Sequence, residues 1–175
     1  MLYNPPCAKT RLDPTSFVRL ADEVPTLIGI KVPGGDDAWF GRMTDDLGTR
    51  LAIFVAGHAL ASGVARGAAG SYSNVACLNP TGAVRWYEQM LTDLPAALDV
   101  ERRLQRFFAD HITPLSRQGY CDPALDKALA AIGDWAPVGT RVRWPHRFVS
   151  ADVVPALRDA ARQAVPELLE HAPGQ

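Results

Sequence analysis

At 175 residues, 47% apolar and 21% charged, the chain has the size and composition of one globular domain with a real hydrophobic core. Its net charge of −1, with Lys and Arg scattered among Asp and Glu, leaves no electrostatic footprint for nucleic acid or for an anionic membrane. No apolar run approaches the roughly 18 residues that a membrane helix needs. The start, Met1-Leu-Tyr-Asn-Pro-Pro6, has neither the basic region nor the apolar stretch of a signal peptide. Cys7, Cys77 and Cys121 lie far apart with no Cys-x-x-Cys pair, so neither a disulfide framework nor a zinc site is indicated. A cytoplasmic location is the expectation.

Short apolar strands alternate with amphipathic helices along the first part of the chain. Met1-Leu2-Tyr3 reads as a strand, too short beside the usual five or so residues and like the stump of a longer one. Asp13 to Val24 reads as a helix with Asp13 as N-cap and Pro14 at the first helical position. Thr26-Leu-Ile-Gly-Ile-Lys31 is then a strand apolar on both faces, as in parallel sheets covered on both sides. Asp36 to Leu47 is a helix, Leu51 to Ala56 a strand ending at Gly57, His58 to Arg66 a short helix, and Ala69 to Ser73 a weaker strand. Beyond Pro80 the pattern becomes helical: Thr81 to Thr92, Leu94 to His111, Asp122 to Ile132 and Ser150 to His171, the last with Pro166 as a point of shortening or kinking, and Gly133 to Val149 as loop. The expected organisation is a partial (β/α) unit over 1–80 and a helical region over 81–175. With about four strands, such a sheet does not close into an eight-stranded barrel by itself.

The chemistry concentrates at strand ends, where parallel α/β folds bind ligands. Lys31 ends an apolar strand, and an amine desolvated by apolar neighbours sheds its charge more easily and becomes a nucleophile for a ketone. A strand-end lysine reaching out to water satisfies the same pattern. Tyr3 ends its own strand, and a single helix separates it from the strand of Lys31, so the crossover rule makes the two strands neighbours. A phenol beside an amine can move the protons that imine formation requires; an ordinary strand-end tyrosine is the plain alternative.

Tyr3-Asn-Pro-Pro, followed by Gly29-Ile-Lys31 with the lysine 28 residues after the tyrosine, resembles the dihydrodipicolinate synthase and N-acetylneuraminate lyase family. Further matches follow in order: Phe54-Val-Ala-Gly57, Gly67-Ala-Ala-Gly70-Ser-Tyr-Ser73, and the helix with Asp126-Lys-Ala-Leu-Ala-Ala-Ile-Gly133. The resemblance covers nearly the whole chain, but only the C-terminal part of that family's barrel. It implies an α/β fold, the C-terminal half of a TIM (β/α)8 barrel followed by a C-terminal helical appendix. It also implies a class I aldolase or lyase: Lys31 forming a Schiff base with pyruvate or a related 2-oxo acid, Tyr3 relaying protons, and the backbone at Gly57 and Tyr72 lying beside the bound acid. An aldehyde is the second reactant in such chemistry. No metal and no organic cofactor is expected, and the partner is either a second copy of the chain or a missing N-terminal half.

Departures from the family are equally specific. The threonine-containing motif that binds the carboxylate belongs to the family's first half and is absent. The arginine many members carry five residues after the tyrosine is Ala8, with Lys9 beside it; this points away from dihydrodipicolinate and toward another 2-oxo acid or sugar acid. His58-Ala59 replaces the common Asp-Asp pair. His58 could reach the mouth of the site or simply begin a helix, His111, His146 and His171 have no partner at metal-ligand spacing, and Cys7 has no matched base. Two classes of function therefore stand open, an imine-forming lyase or aldolase and a non-catalytic half-barrel or interaction module.

Overall fold

The computed structural model of the chain describes residues 1–5, 8–48 and 50–170. It divides into two units, Met1–Tyr72 and Ser73–Gln175. In the first, the chain runs β1 (Leu2–Tyr3), α1 (Pro14–Glu23), β2 (Gly29–Lys31), α2 (Asp37–Leu47), β3 (Ala52–Ala56), a one-turn 3-10 helix (Gly57–Ala59), α3 (Leu60–Ala65) and β4 (Gly70–Tyr72). The four strands form one parallel sheet in the order β1-β2-β3-β4. Chain order and sheet order coincide because each crossover is a single helix that delivers the next strand beside the last.

Local chemistry sets the element ends. The Asp13 carboxylate accepts the backbone N–H of Ser16 at 2.8 Å, and Pro14 opens α1. The Asp36 carboxylate accepts the N–H of Trp39 at 2.8 Å at the start of α2. Each cap satisfies one of the backbone donors that a helix start leaves unpaired. The strands are shorter than the sequence suggests: β2 begins only at Gly29, since Pro25 and Thr26 lie in a turn.

In β2, Gly29 and Ile30 point to opposite faces and both are buried, while Lys31 at the strand end is partly exposed. Burial alternates along β3, with Ile53 and Val55 buried and Ala52, Phe54 and Ala56 partly exposed. The buried face continues through Ile30, and α3 packs on it at Gly63, where an added Cβ would come within 2.8 Å of the Val55 side chain. Phe17 of α1 and Phe40 and Met43 of α2 are buried as well. The opposite face, with Phe54 partly exposed and Tyr3 and Tyr72 50% and 57% exposed, is open.

The second unit is helical: α4 (Asn74–Leu78), α5 (Pro80–Thr92), α6 (Leu94–Phe107), a π-helical stretch (Phe108–Ile112), α7 (Thr113–Arg117), α8 (Asp122–Gly133), a 3-10 turn (Ala151–Val153), α9 (Val154–Ala164) and α10 (Pro166–Leu169). The helix expected over Ser150 to His171 is thus broken before Pro166, whose ring cannot sit inside a continuous helix; His171 lies outside the described residues. The short α4 was not legible as a helix. Its N-cap is Ser73, whose hydroxyl accepts the N–H groups of Val75 and Ala76 at 3.1 and 3.2 Å. Close packing here depends on missing side chains. A Cβ on Gly133 would stand 1.5 Å from the Leu78 carbonyl oxygen, and one on Gly82 would stand 2.0 Å from that of Leu168. Trp86 is buried and donates its indole N–H to the Ala97 carbonyl at 3.0 Å.

Candidate active site

The parallel register brings the residues singled out in the sequence to one end and one face of the sheet. Tyr3 pairs with Lys31, and Lys31 pairs with Phe54, so three side chains stand in a row on the open face. One step further along, Tyr72 pairs with Ala56. Paired residues in a parallel sheet share a face, and every second residue along a strand shares it too. All four side chains therefore lie on the same surface, near the carboxyl ends of their strands.

Lys31 is the centre of this row. It is half-buried, with its ammonium nitrogen 4.4 Å from the ring centroid of Tyr3 and 5.8 Å from that of Tyr72. The rings of Phe54 and Tyr72 lie 5.6 Å apart, tilted by 50°. The Tyr72 hydroxyl donates to the sulfur of Met1 at 3.3 Å. The Phe54 ring lies beside two glycines: a Cβ on Gly29 or on Gly70 would stand in ordinary contact with it, at 3.5 and 3.4 Å.

The strand-end loop is held by Asn4. Its backbone N–H donates to the Lys31 carbonyl at 3.1 Å, its side-chain amide donates to the Thr10 carbonyl at 3.0 Å, and its side-chain oxygen accepts the N–H of Leu12 at 3.1 Å. The asparagine after the tyrosine thus closes the loop from residue 4 to 12 back onto the end of β2. Within that loop Ala8 is half-buried and Lys9 exposed; Cys7 lies outside the described residues. Gly57 is buried and begins the 3-10 turn after β3, with His58 half-buried in that turn. Of the four residues expected at the site, Tyr3 and Tyr72 both stand within reach of the Lys31 nitrogen, and Gly57 follows directly on β3.

Two contributors were not legible in the sequence. Phe54 was visible only as one apolar residue in a strand, and the Tyr72 side chain had no assigned part beyond its backbone. Register is the signal that finds them, since Phe54 faces Lys31 and Tyr72 is two residues beyond Gly70, the partner of Phe54. Among the described residues no group of three or more His, Cys, Asp or Glu side chains is placed to hold a metal ion, and no helix is long and apolar enough to cross a membrane.

A parallel sheet with helices between successive strands and polar chemistry at the strand ends is the architecture of a (β/α) barrel segment. Solved structures with this fold are proteins of the dihydrodipicolinate synthase and N-acetylneuraminate lyase family. One is a prophage protein of the dihydrodipicolinic acid synthase family from Escherichia coli in complex with pyruvate, 19% identical over 93% of this chain and 55% of that one, with a TM-score of 0.73. Dihydrodipicolinate synthase from Agrobacterium tumefaciens is 22% identical over 94% of this chain and 53% of that one, with a TM-score of 0.65. N-acetylneuraminate lyase from Fusobacterium nucleatum is 16% identical over 94% of this chain and 55% of that one, with a TM-score of 0.69. No protein-family model and no curated protein sequence matches the chain. The chain spans about half the length of the solved structures it matches, and at these identities the likeness establishes the fold.

Proposed function

We propose that the chain belongs to a class I lyase or aldolase of the dihydrodipicolinate synthase type, with Lys31 as the imine-forming residue. The observation that carries this reading is the pairing of Tyr3 with Lys31 at the carboxyl end of the sheet, the phenol ring 4.4 Å from the amine. In the reaction, the Lys31 nitrogen attacks the carbonyl carbon of pyruvate or a related 2-oxo acid. Tyr3 moves protons during formation and dehydration of the carbinolamine. The resulting imine is an electron sink for making or breaking a carbon–carbon bond with an aldehyde, or for losing water. The backbone at Gly57 and Tyr72 lines the oxo-acid position. Residues 1–80 form the barrel part that carries the chemistry, and 81–175 the final barrel helix and helical region. Reaction without metal or organic cofactor, a cytoplasmic setting and an assembly with further strands belong to the same reading.

The second reading is a non-catalytic half-barrel or interaction module. It is favoured by one specific observation, that the chain covers only 52–55% of the structures it resembles.

Borohydride reduction in the presence of pyruvate distinguishes the two. Reduction converts an imine into a stable secondary amine, and the chain has only three lysines, Lys9, Lys31 and Lys127. The expected result is a pyruvate adduct on Lys31 alone, found by peptide mass spectrometry and lost in Lys31→Ala. Equal labelling of Lys9 and Lys127, or undiminished labelling of the Lys31→Ala chain, rejects the Schiff-base reading.

A further inference from the structure

We infer that the aromatic face of Tyr72, together with that of Tyr3, is the electrostatic partner of the Lys31 nitrogen, in ring–cation contact with its ammonium form in the resting chain and with the iminium ion once a 2-oxo acid is bound. The second half of this statement rests on the reading proposed above; the first does not. None of the ion pairs among the described residues involves Lys31. What stands near its nitrogen instead is two electron-rich rings, at 4.4 and 5.8 Å. Both distances lie within the roughly 6 Å over which a ring quadrupole attracts a cation.

Tyr72 is fixed for this role from two directions. Its ring abuts Phe54 at 5.6 Å and its hydroxyl donates to the Met1 sulfur at 3.3 Å. Phe54, in turn, occupies the place opposite Lys31 in the register, between two glycines. The ring of Tyr72 is therefore braced from β3 and from the beginning of the chain.

The charge bookkeeping of imine formation shows where such rings act. Neutral Nζ bonds to the carbonyl carbon and gives up one of its hydrogens. That proton and one further proton from solvent or a relay go to the carbonyl oxygen, which leaves as water. The nitrogen is left doubly bonded to carbon, carrying one hydrogen and a positive charge. Ammonium and iminium are cations, whereas the free amine and the enamine are neutral. A π face therefore stabilises the two charged species over the two neutral ones without offering a base that would take the proton away, as a carboxylate would.

The test replaces Tyr72 by phenylalanine and then by its mono-, di- and trifluorinated analogues. Ring size changes little across this series while the negative potential of the ring face falls step by step, so the fold is retained. The first readout needs no substrate: the rate at which acetic anhydride acetylates Lys31 at neutral pH, by peptide mass spectrometry, with Lys9 and Lys127 as internal references. If the ring holds the cation, acetylation of Lys31 rises with each fluorine, by about two- to fivefold across the series, and the reference lysines stay constant. The second readout is the equilibrium yield of the borohydride-trapped pyruvate adduct, which is expected to stay level across the series because the ring holds the resting ammonium and the iminium alike. A flat acetylation series overturns the inference, whatever the adduct does. A graded series without any pyruvate adduct supports the ring–cation contact in the resting chain and overturns the iminium half together with the Schiff-base reading. A graded acetylation series with an adduct yield that rises with each fluorine overturns the iminium half alone, because the ring then holds only the resting ammonium.

Discussion

Tyr3 and Lys31 are direct partners in the parallel ladder between β1 and β2, and the lysine nitrogen stands 4.4 Å from the centre of the tyrosine ring. The contact is made at the ring face. It places the phenol beside the amine while leaving the tyrosine 50% exposed, so its hydroxyl can exchange protons with solvent as well as with a bound reactant.

Removal of that hydroxyl separates its two roles. Tyr3→Phe keeps the ring face and loses the proton carrier. We expect the rate of Schiff-base formation with pyruvate to fall by about a hundredfold, the lower end of what a positioned acid–base group contributes. The final adduct yield after long incubation should be nearly unchanged. Rapid-quench borohydride trapping measures both, and a rate equal to that of the unsubstituted chain would remove Tyr3 from the mechanism.

The open sheet predicts association. β1 and β4 each have one paired neighbour among the described residues, and the face bearing Tyr3, Phe54 and Tyr72 is apolar and accessible. Exposed edges and apolar faces recruit further strands. Sedimentation velocity of the 175-residue chain is expected to show mass increasing with concentration. A monomer that stays monodisperse and melts cooperatively would contradict this.

Gly133→Ala tests the helical unit. The added methyl group would meet the Leu78 carbonyl at 1.5 Å, a contact with backbone that no rotamer change relieves. A loss of about 3 kcal/mol or more in unfolding free energy is expected, at or above the upper range for overpacking. Gly139→Ala, where nothing lies near the new Cβ, should change stability little. Urea unfolding of the two variants side by side reads the difference.

Part of the acid limb of the stability curve should trace to Asp99. Its carboxyl is held below the usual range, first by the side-chain hydrogen bond from Arg103 and further by the charges of Arg102 and Arg103. Arg103 donates to Asp99 at 2.9 Å and also pairs with Glu167. A carboxyl whose folded-state value is depressed contributes stability that is fully present above its unfolded value, about 3.9. That contribution is lost as pH falls through the folded value. Asp99→Asn lacks the contribution at every pH. Its melting temperature is therefore expected to lie below that of the unsubstituted chain at neutral pH and to converge with it in strong acid. Parallel curves down to pH 2 would rule this out.

Much of the architecture is legible from short-range chemistry. Asp13-Pro14 and Asp36 announce helix starts because the capping bond is local, and the apolar runs before Lys31 and before Gly57 announce strands. The adjacency of Tyr3 and Lys31 follows from one helix lying between them. What escapes is set by register or by the opposite surface. Nothing in the sequence around Tyr72 tells that its ring stands beside Lys31, since that depends on the register in which Phe54 pairs with both Lys31 and Gly70. The extent of β2 is overstated because Leu27 is apolar yet lies outside the strand, and Ile28 joins the ladder only through its carbonyl, which accepts the N–H of Ala52 at 3.0 Å. Helix α4 escapes because five residues are too few to establish a helical period, so Ser73 and Asn79 at its ends are the only marks it leaves.

Because strand order repeats chain order, the sheet can be assembled as a zipper, each strand docking on the one just made. Every pairing step closes a loop of fewer than about 30 residues, which keeps the entropy of closure low. The cluster around Lys31 nevertheless draws on both extremes of the first unit, Tyr3 from its opening strand and Tyr72 from its last. Its second ring thus arrives only with the final docking event. In refolding from denaturant, the near-ultraviolet circular dichroism of the Phe54–Tyr72 pair should therefore lag the far-ultraviolet signal of the helices, and Tyr72→Leu should abolish that late component while leaving the earlier one in place.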